Sequence, residues 1–402
     1  MYFENVYKAL YSVYKDGAFI ASVIDGIPDD RDKSLSVRII YGVLEKDVEL
    51  EKIIKILCEC APDFKIRIVL KIGIYCLKYM NSLPDYAVVN NAVEFVKTIG
   101  KRQVAGFVNA VLKRYVKDGA DISKNNDSEE IEYSLPKWYI DKIKSDYKDD
   151  AEKLLNYVCK PREHIRLNMR KISYEEFKSA VRNVESSKFG GYYVKATNVT
   201  KKLFERGEIT YQAEGSMAIA QAVANLKPKS VLDMCAAPGG KSAYIDELIN
   251  ADIIACDIRE HRVKLIESYI KRMGSKHITA LVADGTVNNA EWNKKFDVVL
   301  IDAPCSGSGV IYSKPDIMLK LNEQGIKSLT EIQSKLLDNG ARYVSDNGYI
   351  VYSTCSVLKD ENERQVKVFI EQNGDFEFVK DRRVLPHVDD TEGFYYAIIK
   401  RK

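Results

Sequence analysis

Histidine is scarce in this chain: only four of its 402 residues are histidines, and none stands at a metal-ligand spacing from another. The eight cysteines are spread along the chain, without the paired spacing of a zinc site or the density of a disulfide-linked secreted protein. No apolar run approaches the roughly 20 residues of a membrane-spanning helix, and no basic segment followed by an apolar stretch begins the chain. These absences argue against a metal site, a secreted scaffold and a membrane protein, and predict a soluble, reduced, cytoplasmic protein.

An excess of charge of one sign is also missing, since 61 Lys and Arg face 58 Asp and Glu, for a net charge of +3. This balance argues against a strongly basic nucleic-acid-binding protein, but the charge is unevenly distributed. Residues 136–206 hold 17 basic and 10 acidic residues, a net charge of +7, whereas the rest of the chain holds 44 and 48, a net charge of −4. The same segment contains aromatic side chains on which bases can stack: Trp138, Tyr139, Tyr147, Tyr192 and Tyr193. It is therefore either a solvated surface or an RNA-binding surface.

Hydrophobic periodicity predicts helices up to about residue 117. Small or apolar residues recur at i, i+3, i+4 and i+7 in Ile66, Val69, Leu70 and Gly73. Similar stripes follow in two further segments: Val89, Ala92, Val93 and Val96, and then Val104, Phe107, Val108, Val111, Leu112 and Tyr115. The pattern is typical of an all-helical domain, which can serve as a scaffold alone.

The remaining sequence predicts a linker and a sheet. Residues 118–132 are polar and acidic, as in a linker. From residue 211 onward, runs rich in valine and isoleucine alternate with helical stretches, which predicts a mostly parallel sheet with helices on both faces. The predicted strands are residues 230–235, 253–257, 278–284, 297–304 and 349–356. We expect a multidomain protein with an all-α domain (1–120), a small basic α+β subdomain (133–207) and an α/β domain (208–402).

A glycine turn follows the first predicted strand, in Val231-Leu-Asp-Met-Cys-Ala-Ala-Pro-Gly-Gly-Lys-Ser242. A strand, a glycine turn and a helix start form the setting in which a nucleotide-like ligand binds against a helix N-terminus. A phosphate-binding loop needs glycine at position 235, which is Cys235, and Pro238 removes a backbone N–H. The G-x-G-x-x-G pattern of dinucleotide sites is absent too. What remains is a plain structural turn or a site for an adenosine cofactor without a pyrophosphate, such as S-adenosylmethionine.

Two acidic residues at later strand ends favour the cofactor site. Asp257 lies 17 residues after Gly240, at a position where a carboxylate accepts hydrogen bonds from ribose hydroxyls. Asp284 ends the third predicted strand, where it can reach the adenine. The alternative is that both are ordinary surface acids.

Two cysteines follow strand ends in turns rich in serine and glycine, within residues 302–309 and 353–356. Because ligands bind beyond the carboxyl ends of parallel strands, Cys305 and Cys355 are expected at the ligand edge, whereas the other six cysteines are interpreted as inert. A thiolate there can add to carbon 6 of a pyrimidine and make carbon 5 able to attack a methyl sulfonium. Asp302 is a candidate to hydrogen-bond or protonate ring nitrogen 3.

Three motifs in this order, at residues 234–242, 302–306 and 353–356, resemble those of the RNA 5-methylcytosine methyltransferases of the Sun-type (RsmB/NOP) family. The Thr-Cys turn distinguishes that family from DNA cytosine methyltransferases, whose nucleophile is the cysteine of the Pro-Cys turn. The resemblance implies a Rossmann-like class I methyltransferase domain with Cys355 as the nucleophile and Cys305 assisting product release. It also implies that S-adenosylmethionine is contacted by Cys235, Ala236, Ala237, Pro238, Gly239, Gly240, Lys241, Asp257, Asp284 and Asp302.

The helical part carries a second resemblance. Residues 84–94 (Pro-Asp-Tyr-Ala-Val-Val-Asn-Asn-Ala-Val-Glu) and 106–112 (Gly-Phe-Val-Asn-Ala-Val-Leu) are similar to helices of the NusB antitermination-factor fold. A NusB-like domain before a Sun-type methyltransferase implies methylation of small-subunit (16S) ribosomal RNA, naked or partly folded, by a monomer without a metal. Two alternatives stay open: the same chemistry on transfer RNA, and a non-catalytic NusB-like RNA-binding or antitermination factor.

Some positions refine this resemblance. Arg166-Leu-Asn168 resembles the segment that starts the family's catalytic half, which implies that Arg166 lies near the RNA. Ala213 stands where the family usually has an acid, and Tyr312-Ser313 stand where relatives often carry arginines. The departures weaken any cofactor role at residue 213 and any phosphate contact at residues 312–313, but they leave the cysteine pair untouched.

Overall fold

A computed structural model describes residues 2–124, 128–157 and 162–402; Cys159, expected to be inert, lies outside them. Contacts divide the chain into two compact units. The first is Met1–Asn156 with Lys314–Lys320, and the second is Tyr157–Ser313 with Leu321–Lys402. One boundary between the units thus falls inside the segment 133–207.

The first unit is helical, as expected for a NusB-like domain. Its α-helices are α1 (Tyr2–Tyr11), α2 (Ile20–Asp25), α3 (Lys33–Glu45), α4 (Asp47–Leu57), α5 (Phe64–Tyr79), α6 (Asp85–Thr98), α7 (Ala105–Lys124), α8 (Glu129–Tyr133), α9 (Lys137–Tyr147) and α10 (Ala151–Leu155). The Asp63 carboxylate caps α5 by accepting a hydrogen bond from the Ile66 N–H (3.0 Å). The predicted stripes pack into one core, in which Val93 and Val104 are half-buried, except that Phe107 is exposed. Periodicity therefore located the inward helix faces correctly.

The predicted linker at residues 118–132 is wrong at both ends. Helix α7 continues to Lys124 and α8 begins at Glu129. Polar composition does not prevent a helix that buries a single residue and pairs its charges: Ile131 is buried, and Glu130 forms an ion pair with Lys52 (2.5 Å).

The second unit begins with a small antiparallel sheet of order β2-β3-β1-β4. Its elements are β1 (Glu163–Leu167), α11 (Tyr174–Ala180), β2 (Glu185–Ser186), β3 (Tyr192–Val194), α12 (Asn198–Glu205) and β4 (Ile209–Tyr211). Both helices start with a capping box, at Ser173 and at Thr197. The α+β elements thus run from Glu163 to Tyr211, whereas the first part of the expected subdomain (133–207) belongs to the helical unit.

A seven-stranded sheet of order β10-β11-β9-β8-β5-β6-β7 forms the rest of the second unit. Its strands are β5 (Ser230–Asp233), β6 (Asp252–Asp257), β7 (Ile278–Val282), β8 (Phe296–Asp302), β9 (Val344–Thr354), β10 (Phe376–Val384) and β11 (Phe394–Arg401). The accompanying helices are α13 (Glu214–Ala224), α14 (Gly240–Leu248), α15 (Glu260–Met273), α16 (Glu323–Tyr343), α17 (Glu363–Gln372) and α18 (Pro386–Asp389). Strands β9, β8, β5, β6 and β7 are parallel, and β11 and β10 add to them antiparallel. The five predicted strands and the mostly parallel sheet are confirmed.

Candidate active site

The five parallel strands bring the predicted site residues to one edge of the sheet. The pairing register sets Asp302, the last residue of β8, opposite Ser353 in β9. On the other side, Asp233 ends β5 beside β6, whose last residue is Asp257. Because all five strands run in the same direction, the turns that follow them share this carboxyl edge.

The two cysteine turns meet at this edge. The Sγ atoms of Cys305 and Cys355 lie 3.1 Å apart, and the backbone N–H of Cys355 points to the Cys305 Sγ at 3.3 Å. The hydrogen bond with Cys355, together with burial, raises the pKa of the Cys305 thiol well above its ordinary value. Cys305 therefore holds its proton tightly and can donate it in a hydrogen bond to an ionised Cys355.

An ion pair lies at the same strand ends. The Lys241 Nζ donates to one carboxylate oxygen of Asp302 (2.6 Å), and the Ser353 hydroxyl donates to the other (2.9 Å). Burial has the largest single effect and lowers the pKa of Lys241, but the opposing effects of Asp302, Asp233 and Cys355 together outweigh it, so the net shift is upward. Both Asp302 oxygens accept hydrogen bonds, and the proton donor of this pair is Lys241.

The glycine turn connects β5 to α14 as the sequence predicts. Gly239 has a φ of 105°, in the left-handed region that favours glycine, and precedes the first residue of α14. Behind the turn, Asp233 is fully buried and accepts a hydrogen bond from the Ser242 hydroxyl (2.6 Å). Burial raises the pKa of Asp233 to about 7.

The two acids expected to contact the cofactor are held in place by neighbouring groups. Asp257 is buried, accepts from the Arg259 N–H (3.3 Å) and pairs with Arg262 (3.1 Å). Asp284 is half-buried and accepts from the backbone N–H and the hydroxyl of Thr286 (2.9 and 2.6 Å). Both carboxylates therefore have defined positions at the carboxyl edge of the sheet.

Sequence reasoning missed a buried carboxylate behind the two cysteine turns. Glu361 is fully buried and accepts hydrogen bonds from Ser306 and Ser356, the residues that follow the two cysteines. The signal that could have found it is the serine that follows each cysteine. If the two cysteine turns meet, these serines lie close together and can share one hydrogen-bond acceptor.

Arg166, which the resemblance places near the RNA, is an interior residue. Its side chain is only 2% exposed, forms an ion pair with Glu247 and donates from Nε to the Gln212 Oε1 (2.9 Å). Two aromatic residues proposed for base stacking, Tyr139 and Tyr147, are also buried. The sequence shows that these residues are basic or aromatic, but it does not show whether they are exposed. Because they are buried, they are not available to contact a ligand at the surface.

Ala213 replaces the usual acid of the family, but the next residue, Glu214, is acidic. Glu214, the first residue of α13, is buried and accepts hydrogen bonds from Ser187 and Tyr193. Its carboxylate therefore connects α13 to the small sheet through internal hydrogen bonds.

In the described part of the chain, no group of three or more His, Cys, Asp and Glu side chains is placed to hold a metal ion, and no helix there is long and apolar enough to cross a membrane.

Comparison with known proteins gives the same class of protein as the fold and the strand-edge site, a methyltransferase preceded by a NusB-like domain. The profile of the 16S rRNA methyltransferase RsmB/F family matches residues 220–400, and the profile of the NusB family matches residues 4–117. The probable ribosomal RNA small subunit methyltransferase B of Bacillus subtilis (strain 168) is 31% identical over 408 residues, which cover 93% of this chain and 91% of that protein.

Two further relatives extend over almost the whole length. The ribosomal RNA small subunit methyltransferase B of Photorhabdus laumondii is 29% identical, with 98% of this chain and 97% of that protein covered. The crystal structure of PH0851 superposes with a TM-score of 0.82 at 25% identity and covers 99% of this chain and 97% of that one. The chain belongs to the RsmB/F family of methyltransferases.

Proposed function

We propose that this protein transfers a methyl group from S-adenosylmethionine to carbon 5 of a cytosine in small-subunit ribosomal RNA, through a covalent bond between Cys355 and the base. The observation that carries the proposal is the pair of thiols 3.1 Å apart at the carboxyl edge of a methyltransferase sheet. The relatives named as small-subunit ribosomal RNA methyltransferases support the choice of RNA. Apposed thiols are not needed by a non-catalytic RNA-binding factor, which disfavours that alternative.

The residues at the edge fit an adenosine cofactor. The N-terminus of α14 follows the glycine turn, Asp257 and Asp284 stand at the next two strand ends, and a Cβ at Gly240 would have no neighbour closer than 3.5 Å. Residues 235–241 and these two acids would hold the cofactor, which supplies an activated methyl group when bound. The site lacks the glycine pattern that binds a pyrophosphate. S-adenosylmethionine has no pyrophosphate, so it fits a site without that pattern.

The chain's own residues account for the activation of the base. The Cys355 thiolate adds to carbon 6, which forms an Sγ–carbon bond and moves electron density to carbon 5, the atom that is methylated. The Lys241–Asp302 pair offers an N–H donor and a carboxylate acceptor for the ring nitrogen and the exocyclic amine of cytosine. A general base then takes the carbon 5 proton, the electrons of that C–H bond restore the carbon 5–carbon 6 double bond, and the Sγ–carbon bond breaks so that Cys355 leaves as a thiolate. Cys305 assists this release from its position beside Cys355.

The test is methyl transfer from labelled cofactor to small-subunit RNA by wild type, Cys355→Ala and Cys305→Ala. We expect no product from Cys355→Ala and a covalent protein–RNA adduct, visible on a denaturing gel, from Cys305→Ala. Cys60→Ala is the matched control, because Cys60 is an exposed cysteine of the helical unit and its loss should change neither activity nor adduct. Substantial methylation by Cys355→Ala would contradict the assigned nucleophile, and a preference for transfer RNA in a parallel reaction would contradict the assigned substrate.

We also propose that the small basic subdomain contacts the RNA. With Arg166 buried, the exposed basic residues there include Lys178, Arg182, Lys195, Lys201, Lys202 and Arg206. Lys201 and Lys202 lie next to each other in α12, so reversing both to Glu is expected to weaken RNA binding, more strongly at low salt, and to leave cofactor binding unchanged. Filter binding to RNA and calorimetry with S-adenosylmethionine separate the two effects, and unchanged RNA affinity would move the interface elsewhere.

A further inference from the structure

One buried carboxylate joins the two turns that carry the cysteines. The Oε1 atom of Glu361 accepts from the Ser306 N–H (2.8 Å), and its Oε2 atom accepts from the hydroxyls of Ser306 and Ser356 (2.5 Å each). Ser306 follows Cys305 and Ser356 follows Cys355, so each turn is fastened directly beside its thiol.

A third element is held by the same carboxylate. Gln333, on α16, donates from Nε2 to the Glu361 Oε1 (3.1 Å) and to the carbonyl of Pro304 (3.0 Å), the residue before Cys305. The backbone of Glu361 is fixed in turn, because its carbonyl accepts from the Tyr352 hydroxyl (2.6 Å) of strand β9. The contacts converge on one fully buried side chain.

We propose that Glu361 is a positioning residue that holds Cys305 and Cys355 at reacting distance by binding both turns at once. The chemical benefit rests on the proposed function, since it assumes that the two thiols act on a base. The geometry does not depend on it, and the experiments below test the two separately.

The arrangement requires a carboxylate because every neighbour that the side chain meets donates. Four hydrogen bonds reach its two oxygens, whereas glutamine has one side-chain oxygen and would direct an N–H2 group at Ser306 or Ser356. Its charge has a second effect, since the negative carboxylate is one of the groups that raise the pKa of Cys305. Removing the charge therefore loosens the turns and makes Cys305 ionise at lower pH.

The first experiment measures thiol proximity without RNA or cofactor. Diamide oxidises apposed thiols: an Sγ–Sγ bond forms, and two protons and two electrons pass to the N=N bond of diamide. The Cys305–Cys355 cross-link is quantified by peptide mass spectrometry in wild type, Glu361→Gln and the control Asp360→Asn. Asp360 is the adjacent carboxylate; it is only partly buried and forms an ion pair with Arg364 (2.5 Å). We expect about tenfold or more slower cross-linking in Glu361→Gln, because a buried charge-assisted set of hydrogen bonds is lost, and a wild-type rate in the control.

The second experiment measures ionisation. In a Cys355→Ala background, the pH dependence of alkylation of Cys305 by iodoacetamide should shift to lower pH in Glu361→Gln, a change that mere loosening of the structure does not produce. Thermal melting and calorimetry with S-adenosylmethionine show whether Glu361→Gln folds. If it does not, Ser356→Ala removes the hydrogen bond between Ser356 and Glu361 but retains the carboxylate, and slower cross-linking is again expected. Wild-type cross-linking in the folded variant, or no shift in the alkylation profile, overturns the proposal.

Methyl transfer links the two proposals without confusing them. If the proposed function holds, Glu361→Gln lowers kcat with little change in KM for RNA, because the thiols and not the RNA surface are disturbed. If Cys355→Ala still methylates RNA, the proposed function fails, whereas a slowed cross-link in Glu361→Gln still supports the positioning role.

Discussion

Replacing Arg166 by methionine should damage the fold of the second unit, although the residue lies in the basic part of the sequence. The guanidinium is 2% exposed and the Glu247 side chain 8% exposed, so water screens their ion pair very little. Arg166 also donates to Gln212 (2.9 Å) and lies over the ring of Tyr244 (4.3 Å to the centroid). The side chain thus connects β1 to α14, the helix that follows the glycine turn.

The expected cost follows from what remains after the substitution. Glu247 keeps one hydrogen bond, from the Met169 N–H (3.1 Å), and is left as a buried charge without its cation. Breaking a buried pair in this way costs about 3–5 kcal/mol of unfolding free energy. Arg166→Met with Glu247→Leu leaves neither charge and should cost less than Arg166→Met alone, which is a test of coupling.

Urea unfolding of the second unit provides the measurement. The chain has two tryptophans, Trp138 in the first unit and Trp292 in the second, so a Trp138→Phe background makes fluorescence report on the unit that contains Arg166. Arg182→Met is the matched control, because Arg182 is an exposed arginine of the same subdomain and should change stability by no more than about 0.5 kcal/mol.

Equal stability of Arg166→Met and Arg182→Met would refute the reasoning, as would a double variant less stable than Arg166→Met. Arg166→Glu should also disturb the glycine turn. Both RNA binding and cofactor binding should fall, because Gln212, its partner, also donates to the carbonyl of Gly240 (3.4 Å) in the glycine turn.

Two other substitutions test the interior of the site. The folded-state pKa of Asp233, about 7, exceeds the ordinary 3.8, so the stability it contributes is fully present below about pH 4 and lost as pH rises through about 7. The unfolding midpoint of wild type relative to Asp233→Asn should therefore decline over that range, and a constant difference would contradict the assignment. A Cβ at Gly309 would lie 2.2 Å from the Gly393 carbonyl oxygen, so Gly309→Ala should displace the cysteine turns and abolish rapid diamide cross-linking. Gly374→Ala, where a Cβ meets nothing within 4 Å, should cross-link like wild type.

The parallel strands and the long helices were predictable from local pattern. The five predicted strands overlap β5 to β9, because each contains a run of apolar residues; β7 shows this run although none of its residues is buried. Strand β10 left no such signal, since only its first and last residues, Phe376 and Val384, are buried. An edge strand that pairs antiparallel and faces water has no apolar run to detect.

The candidate site was predictable only in part. The motifs place each residue after a strand, which is enough to expect a common edge. That Cys305 and Cys355, 50 residues apart in the chain, meet at 3.1 Å depends on β8 and β9 being neighbours in the sheet. Glu361 belongs to neither motif, and its role depends on a carboxylate being buried between two turns.

The sequence by itself determined the scarcity of histidine, the uneven charge, the turn chemistry and the strand ends, because these depend on residue type and on neighbours within a few positions. Only the tertiary structure decided which charges are buried and which strand ends meet. Burial changes the role of a charged residue. The Arg166 cation and the Glu361 anion stabilise contacts inside the protein, since an ionised group taken out of water must be paired. No local pattern records that environment.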